Sequence, residues 1–353
     1  MRVVTTEIHE PVESLLHRLP ANPTTFIRHG DGLVGWGEAV RISSAASVLV
    51  VPKVLLGSRD GRNWLTTIDG AALPAPEESS ESQPPISLAP GVQTVQGFEV
   101  SVVEALEQIA AGRVEKVVLA RDLVGNIPVN FDIRTTLNRL AARYPSCWVY
   151  SVDGCFGASP ELLVRVSHRQ VSARVLAGTA ARGTDPAVDQ AIGEALANSH
   201  KNLAEHSFAV DSMVASLEPF CDHVDADPTP FAMPLPNVWH LASDVHGVLN
   251  SAATVLDLAA AIHPTAAVAG TPRMESLELI EELEPFDRGR YAGPVGWIGA
   301  DGDGEWAIAL RGAQMDGDRL TAFAGCGIVA ESDPTSEAAE TELKFKPITE
   351  ALA

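Results

Sequence analysis

A chain of 353 residues with 46% hydrophobic and 20% charged residues has an ordinary globular composition and can bury a large core. Its formal net charge of −21 argues against nucleic acid or an anionic membrane as a partner, because both bind basic surfaces. An anionic small-molecule substrate would need a local cationic pocket built against this overall charge.

The sequence contains no recognisable targeting or membrane signal. Its first seven residues lack the apolar core of a signal peptide, and no apolar run approaches the ~20 residues of a membrane-spanning helix. The four cysteines, Cys147, Cys155, Cys221 and Cys326, have no CxxC spacing and indicate buried thiols rather than disulfides or a zinc site. We therefore expect a cytoplasmic protein.

Residues 70–91 form the least regular stretch, with five prolines among glutamates and serines. This composition predicts a surface loop. The preceding run Val-Leu-Val-Val (48–51) is typical of a strand that needs a partner sheet. We therefore predict a loop within one domain, and a linker between two domains is the alternative.

From residue 98 onward, helical and strand patterns are mixed. Thr184 is predicted to cap the longest helical region, and Pro186 fits the first turn of that region. Runs of antiparallel strands between long helices favour the α+β class over a regular βαβ repeat. Helices are predicted at residues 98–111, 132–143, 185–217 with a break, 255–262, 272–283 and 334–352. Strands are predicted at residues 116–124, 147–152, 155–158, 162–167, 237–249, 293–299, 305–314 and 319–324.

The C-terminal segment carries the strongest candidate site. A glycine-rich stretch, 323–329, precedes a predicted helix with Glu337, Glu340 and Lys344 at positions i, i+3 and i+7, which share one helix face. Two carboxylates and an ammonium beside open glycine backbone can hold a hard cation and an anionic ligand together. The alternative is a charged face exposed to solvent.

Lys116 and Glu161 are the candidates for proton transfer. Lys116 begins an apolar run, where a buried ammonium must be paired or lose its proton, and a neutral lysine can act as a base. Glu161 follows Pro160 at the start of a predicted buried strand, where a protonated carboxyl can act as a general acid. The alternatives are an edge-strand lysine that reaches solvent and an ordinary turn glutamate.

Further polar residues could bind an anion or a cation. Gly178 and Thr179 could present a backbone amide and a hydroxyl to an oxyanion, although most such pairs form turns. Glu205 is a possible third carboxylate for the C-terminal cluster, and its alternative is an i, i+4 pair with Lys201. Arg311 follows an apolar strand and needs an anionic partner, either a protein carboxylate, which is the default, or a bound anion.

Ten ordered motifs from residue 98 onward resemble those of the chorismate-utilising enzymes, which include the isochorismate, salicylate, anthranilate and aminodeoxychorismate synthases. Residues 1–95 carry no motif of this kind. The motifs are Lys-Val-Val-Leu-Ala-Arg (116–121), Gly-Ala-Ser-Pro-Glu (157–161), Leu-Ala-Gly-Thr (176–179), Glu-His (205–206), Trp-His-Leu (239–241), His-Pro-Thr-Ala-Ala-Val-Ala-Gly (263–270), Glu-Pro-Phe-Asp (284–287), Leu-Arg (310–311), Ala-Gly-Cys-Gly-Ile-Val (324–329) and Glu-x-x-Glu (337–340).

The resemblance implies one large α+β domain over residues 1–353, in which two extended antiparallel sheets pack face to face with helices outside, as in anthranilate synthase component I. Residues 1–95 would form a variable part of the sheets, and residues 96–353 the motif-bearing core. It also implies a deep active site between the sheets that uses Mg²⁺, with chorismate as the substrate. For the assembly we expect a monomer, with a weak dimer as the alternative.

The resemblance also implies roles for individual residues. Lys116 is similar to the base that activates water, and Glu161 to the acid that protonates the departing C4 hydroxyl. The metal ligands would be Glu205 and Glu340, with Glu337 acting through water. The groups around the substrate would be Gly178, Thr179, Ala267, Arg311, Gly325, Gly327 and Lys344. Cys326 departs from the alanine that many relatives have between the two glycines, and we expect no change in chemistry from it.

Two positions select an activity within the family. Lys116 implies that water is the nucleophile, because members that add ammonia lack this lysine. Ala267 stands where salicylate and anthranilate synthases tend to have threonine, which favours stopping at isochorismate. The expected activity is therefore Mg²⁺-dependent isochorismate synthase, for menaquinone or a catechol siderophore. The alternatives are a salicylate synthase, which goes on to eliminate pyruvate, and a non-catalytic relative that binds chorismate or metal.

Overall fold

The structure is a computed structural model that describes residues 2–8, 22–44, 47–73, 75 and 84–353, apart from the side chain of Glu205. Part of the predicted loop at residues 70–91 therefore lies outside the described residues. In its described part, only Ala89–Pro90 forms a strand.

All the described strands belong to two sheets. Within each sheet, every pair of neighbouring strands is antiparallel. The strands of the larger sheet are β1 (Val3–Ile8), β2 (Thr24–Arg28), β3 (Asp31–Ser43), β4 (Val48–Arg59), β5 (Arg62–Ile68), β6 (Ala89–Pro90), β7 (Lys116–Asn126), β8 (Trp148–Val152), β9 (Cys155–Ser159), β15 (Gly270–Thr271), β18 (Gly312–Asp316) and β19 (Arg319–Ile328). The strands of the smaller sheet are β10 (Leu162–Ser167), β11 (Gln170–Ala181), β12 (Cys221–Ala226), β13 (Phe231–Pro234), β14 (Val238–Leu249), β16 (Pro294–Ile298) and β17 (Gly304–Ile308).

The order of the strands places the candidate motifs side by side. The larger sheet runs β1-β5-β4-β3-β2-β8-β9-β18-β19-β7-β15, with β6 also paired to β7. The smaller sheet runs β12-β14-β11-β10-β17-β16, with β13 also paired to β14. As a result, the Lys116 motif on β7 lies beside the glycine-rich motif on β19, with Val117 opposite Ile328 in the register.

The helices follow the predicted order, and their caps explain where they begin. Asp132 caps the second helix and Asp333 the last, each through a side-chain oxygen that accepts a backbone N–H. The described helices are α1 (Val95–Ala110), α2 (Ile133–Arg143), α3 (Pro186–Ala197), α4 (His200–Leu217), α5 (Val255–Ile262), α6 (Arg273–Leu283) and α7 (Pro334–Leu352). None of them is long and apolar enough to cross a membrane.

Two predictions about local structure were wrong. The cap of α3 is Asp185 rather than Thr184, because the Asp185 carboxylate accepts N–H bonds from Ala187 and Val188. The predicted strand 305–314 is two strands, β17 and β18, which belong to different sheets. Arg311 lies between them with a φ of 53°, so the chain turns there to pass from one sheet to the other.

Buried clusters show how the layers pack. One cluster joins side chains of both sheets, including Phe26 and Trp148 from the larger sheet with Leu162 and Ala307 at the smaller one, so the sheets face each other. Helices cover the outer faces. Those on the smaller sheet are α3, α4 and α5, and those on the larger sheet are α1, α2, α6 and α7. The predicted α+β architecture of two packed antiparallel sheets with external helices is confirmed.

Candidate active site

A cavity lies where the two sheets approach each other. The smaller sheet contributes residues of β11 and β14, and the larger sheet contributes residues of β7 and β19. The predicted site residues that line it are Glu161, Gly178, Thr179, Ala267, Arg311, Gly325, Gly327 and Lys344. The structure therefore brings together residues that are up to 183 positions apart in the sequence, as between Glu161 and Lys344.

Glu161 is a buried carboxyl at the wall of this cavity. It lies between β9 and β10 and is 4% exposed. Burial raises the pKa of Glu161 to about 8, against the opposing effect of a hydrogen bond from the Leu176 backbone and of nearby positive charges. At neutral pH the carboxyl is therefore mostly protonated, which is the form that a general acid requires. The positive charges that oppose the shift belong to Lys116, Lys344 and Arg311.

Lys116 is fully buried at the start of β7. Side chains at i and i+2 of a strand point to the same face, so Lys116 shares a face with Val118, which lines the cavity. The positive charge of Lys116 acts to lower the pKa of Glu161 and of His206, so the ammonium lies near both side chains. The alternative that Lys116 is an edge-strand side chain reaching solvent is therefore wrong.

Arg311 supplies a buried cationic group. It is 7% exposed, and its Nη2 donates to Nε2 of His240 over 2.8 Å. Among the described residues, Arg311 Nη1 has no hydrogen-bond partner and no carboxylate forms an ion pair with Arg311. The default partner predicted from sequence, a protein carboxylate, is thus not found among the side chains that the structure describes. An anionic ligand in the cavity would satisfy the free N–H groups.

His240 fixes the position of Arg311, and sequence reasoning did not assign it to the site. Burial, followed by the charge of Arg311, lowers the pKa of His240 well below its ordinary value, so the ring is neutral. Because Nε2 accepts from Arg311, the ring proton is on Nδ1, which lies 3.2 Å from both the Gly178 carbonyl and Thr179 Oγ1. The available sequence signal for His240 was its position in the motif Trp-His-Leu (239–241).

The backbone at the site is shaped by two glycines. The register of β11 against β14 shifts at Gly178, which has a φ of 82°, a value that glycine adopts without strain. A Cβ on Gly325 would lie only 2.5 Å from the Leu119 carbonyl oxygen, so the pairing of β19 with β7 requires glycine there. This part of β11 is a bulged strand rather than the turn considered from sequence.

The predicted cluster on α7 forms as expected from its spacing. Glu340 pairs with Lys344 over 2.6 Å, and Lys344 also donates to the Gly325 carbonyl over 2.8 Å. Burial acts to lower the pKa of Lys344, and the negative charge of Glu340 acts to raise it. The net effect is a raised pKa, so Lys344 keeps its positive charge. Glu337 is buried and pairs with Lys201 of α4 over 2.6 Å. The solvated-face alternative for this helix is therefore wrong.

Three possible metal-ligand atoms lie within 4.8 Å of one another, close enough to reach one metal ion. They are a carboxylate oxygen of Glu337, a carboxylate oxygen of Glu340 and the sulfur of Cys326. Lys201 of α4 bonds directly to Glu337, which brings this helix to the cluster. Glu205 is in the same helix, but the predicted metal-binding role rests on its side chain, which lies outside the described residues. That role stays a prediction.

A buried ion pair holds the strand that carries Lys116. Arg288 pairs with Glu284 over 2.6 Å and donates to the Val118 carbonyl over 2.7 Å and the Val268 carbonyl over 2.9 Å. The Glu284 carboxylate also accepts the Ala120 N–H over 2.7 Å. This Glu284–Arg288 clamp links the end of α6, β7 and the loop before β15 at the edge of the cavity.

We expect Arg288→Ala to lower the free energy of unfolding by about 3–5 kcal/mol, because it leaves the Glu284 carboxylate buried and unpaired. The matched control is Arg113→Ala, which removes a bidentate pair with the exposed Glu282 and should change the stability little, because solvent screens this pair. Urea unfolding of both variants measures the difference. Equal losses in the two variants would contradict a structural role for the clamp.

The fold and the cavity define an α+β enzyme that can hold an anionic ligand beside a protonated carboxyl and a buried lysine. The chain belongs to the chorismate binding enzyme family, whose model matches residues 44–353. The resemblance seen in the motifs is thereby confirmed.

Curated relatives cover most of the chain. It is 39% identical over 325 residues to a Mycobacterium tuberculosis protein provisionally named isochorismate synthase MenF, covering 88% of this chain and 83% of that protein. It is 37% identical over 267 residues to the isochorismate synthase DhbC of Bacillus subtilis, covering 72% of this chain and 67% of that protein.

Solved structures share the architecture. The menaquinone-specific isochorismate synthase MenF of Escherichia coli matches with a TM-score of 0.83 and 25% identity, covering 100% of this chain and 94% of that one. Anthranilate synthase component I of Streptococcus pneumoniae, with a TM-score of 0.74 and 22% identity, shows the same fold.

Proposed function

We propose that this protein is a Mg²⁺-dependent isochorismate synthase, which converts chorismate to isochorismate by adding water at C2 and removing the C4 hydroxyl. The observation that carries the proposal is Glu161, a carboxyl whose pKa is raised to about 8 by burial in a cavity that also contains cationic groups. The names of the related proteins, which are isochorismate synthases and include a menaquinone-specific one, support the same activity. We propose that the product serves the biosynthesis of menaquinone or of a catechol siderophore.

The cavity suits a dianionic substrate despite the overall charge of −21. Chorismate carries two carboxylates, and the cavity is lined by the cationic side chains of Arg311, Lys344 and Arg288. Lys344 and Arg288 already have carboxylate partners, whereas Nη1 of Arg311 is unsatisfied among the described residues. We therefore assign Arg311 to a substrate carboxylate, with Gly178, Thr179, Gly325 and Gly327 completing the wall.

Water addition requires one group that takes a proton and another that gives one. In this proposal Lys116 is the base that takes a proton from water as the water oxygen bonds to C2, and protonated Glu161 gives a proton to the departing C4 oxygen. The ring double bonds shift between these two positions, so no oxidant or reductant is required. Two observations support these roles. Lys116 lies on the same face of β7 as Val118, which lines the cavity, and the charge of Lys116 affects the pKa of Glu161.

The carboxylate cluster fits Mg²⁺, which prefers oxygen ligands and is typically held in proteins by one or two carboxylates. Glu340 and Glu337 present oxygens close to each other beside the cavity, and Glu205 is the further ligand in the proposal. Bound Mg²⁺ supplies positive charge that draws electron density from the diene through the ring carboxylate. Lys201 pairs with Glu337 and Lys344 pairs with Glu340, and these contacts hold the two described carboxylates in place.

Removal of the metal should therefore abolish turnover. We expect a chelator to stop conversion of chorismate and added Mg²⁺ to restore it. Glu340→Gln should raise the Mg²⁺ concentration for half-maximal activity by about 10- to 100-fold, because a ligand charge is lost. A Mg²⁺ titration of the initial rate measures this shift, with Glu342→Gln on the same helix as the control. Unchanged Mg²⁺ dependence in Glu340→Gln would contradict the assignment.

Ala267 supports isochorismate as the final product. It lines the cavity, at the position where the salicylate and anthranilate synthases that this chain resembles tend to have threonine. Incubation with chorismate and Mg²⁺ should yield isochorismate without pyruvate. Stoichiometric salicylate and pyruvate would instead establish a salicylate synthase, and the absence of turnover would indicate a binding protein without catalytic activity.

A further inference from the structure

We infer that Asp189 of α3 is a positioning residue for substrate binding, because it holds the strand ends that carry His240, and His240 in turn holds Arg311. This inference rests on the proposed function, in which Arg311 binds a substrate carboxylate. Asp189 forms a network with Arg182 and Trp239, and none of these three described residues lines the cavity. The effect of the network on the substrate would therefore be indirect.

Asp189 is a buried carboxylate that joins the ends of two neighbouring strands. It is 8% exposed, and it accepts from the Arg182 guanidinium and from the Gly183 backbone N–H, each over 2.8 Å. It also accepts from Trp239 Nε1 over 2.9 Å. Arg182 directly follows β11 and Trp239 belongs to β14, so one side chain of α3 connects both strands. Arg182 Nη1 extends the network to the Leu235 carbonyl, over 2.8 Å.

Helix α3 packs closely against both strand ends. A Cβ on Gly183 would lie 2.9 Å from the Asp189 backbone nitrogen, and a Cβ on Gly193 would lie 3.2 Å from the Trp239 indole. The Arg182 guanidinium also lies over the Trp239 ring, with Cζ 4.7 Å from the ring centroid. The two glycines therefore allow the close approach on which the network depends.

The strand ends need this support because the pairing of β11 with β14 is interrupted beside them. The register shifts between Ala177 and Thr179, and a bulge disrupts the hydrogen-bond ladder locally. Just beyond this shift, His240 lies opposite Thr179, and Trp239 lies opposite Ala180. A displacement of Trp239 would therefore move His240.

Movement of His240 would in turn displace Arg311. Among the described residues, His240 is the one hydrogen-bond partner of the Arg311 side chain, with 2.8 Å between Nη2 and Nε2. Arg311 would contact a substrate carboxylate in the ground state and the transition state alike. Its misplacement should therefore raise KM more than it lowers kcat.

Asp189→Asn tests this inference, because it keeps the shape of the side chain but replaces one accepting oxygen with an NH₂ group. We expect KM for chorismate at saturating Mg²⁺ to rise by at least about fivefold, with kcat within about twofold of the wild-type value. Calorimetry in the slow Glu161→Gln background should show the same loss as a weaker Kd for chorismate. Trp239→Phe, which removes the Nε1–H donor but retains an aromatic ring, should raise KM in the same direction.

The matched control is Asp244→Asn. Asp244 pairs with Arg174 over 2.6 and 2.7 Å across the same two strands, and Arg174 also lies over an aromatic ring, that of Phe231. Neither Asp244 nor Arg174 lines the cavity. Asp244→Asn should therefore keep the wild-type KM, even where it lowers the Tm as much as Asp189→Asn does.

The outcomes separate this inference from the proposed function. Turnover of chorismate by the wild-type chain, with KM unchanged in Asp189→Asn and Trp239→Phe, would overturn the inference and leave the function standing. An equal rise in KM in Asp189→Asn and Asp244→Asn, or a fall in kcat at unchanged KM, would also overturn it. A wild-type chain that binds chorismate without turnover, and binds it more weakly after Asp189→Asn alone, would support the inference and remove the function.

Discussion

Lys116→Gln should lower kcat for the conversion of chorismate by about 10²–10⁴-fold, the usual contribution of a positioned general base. Glutamine retains most of the side-chain length and polarity, but it cannot take a proton from water. Lys116 is fully buried on the cavity face of β7, so the loss should arise at the chemical step. Initial rates at saturating Mg²⁺ measure kcat.

Two controls separate catalysis from folding. The thermal unfolding of Lys116→Gln is compared with that of the wild-type chain, and chorismate binding is measured by calorimetry. Lys53→Gln changes an exposed lysine of β4 and should retain the wild-type rate. A fully active Lys116→Gln variant would refute the role of Lys116 as the base.

Glu161→Gln should lower kcat by a similar factor of about 10²–10⁴, because the amide cannot protonate the departing oxygen. The pH profile gives a second and independent readout. Since burial raises the pKa of Glu161 to about 8, kcat/KM of the wild-type chain should fall as pH rises through about 8. The residual activity of Glu161→Gln should lack this alkaline limb.

Glu305→Gln is the matched control for that experiment. Glu305 is also buried, but it pairs with Arg165 and Trp148 away from the cavity, so its variant should keep the alkaline limb. An alkaline limb that persists unchanged in Glu161→Gln would show that another group supplies the proton.

The raised pKa of Glu161 also predicts an effect on stability. The unfolded chain loses this proton near the ordinary pKa of 4.5, whereas the folded chain keeps it up to about 8. The contribution of Glu161 to stability is therefore fully present below pH 4.5 and falls by about 1.4 kcal/mol per pH unit between these values. Glu161→Gln should not show this loss. Urea unfolding at pH 5 and pH 8 should therefore give a smaller decrease in the free energy of unfolding for the variant than for the wild-type chain.

The sequence was informative where local chemistry determines structure. The helices predicted at 132–143 and 334–352 begin next to their capping residues Asp132 and Asp333, and the spacing of Glu337, Glu340 and Lys344 correctly placed them on one face. The same local rules misplaced the cap of α3, because two adjacent residues, Thr184 and Asp185, both suit that position.

Non-local features could not be read from the sequence in the same way. The predicted strand 305–314 crosses from one sheet to the other at Arg311, and this change is determined by packing between sheets rather than by residue pattern. The bond between Arg311 and His240 joins residues 71 positions apart, so His240 was recognisable only as part of a motif. The resemblance to a family indicated which residues distant in the sequence belong to one site, which the periodicity of the sequence cannot show.

The most direct test of the central claim is product analysis after incubation of chorismate with Mg²⁺ in ¹⁸O-labelled water. Water activated by Lys116 should become the C2 hydroxyl, so mass spectrometry should show isochorismate that carries one ¹⁸O atom, with no pyruvate formed. Isochorismate without the label would contradict water addition at C2, and salicylate with stoichiometric pyruvate would contradict the proposed activity.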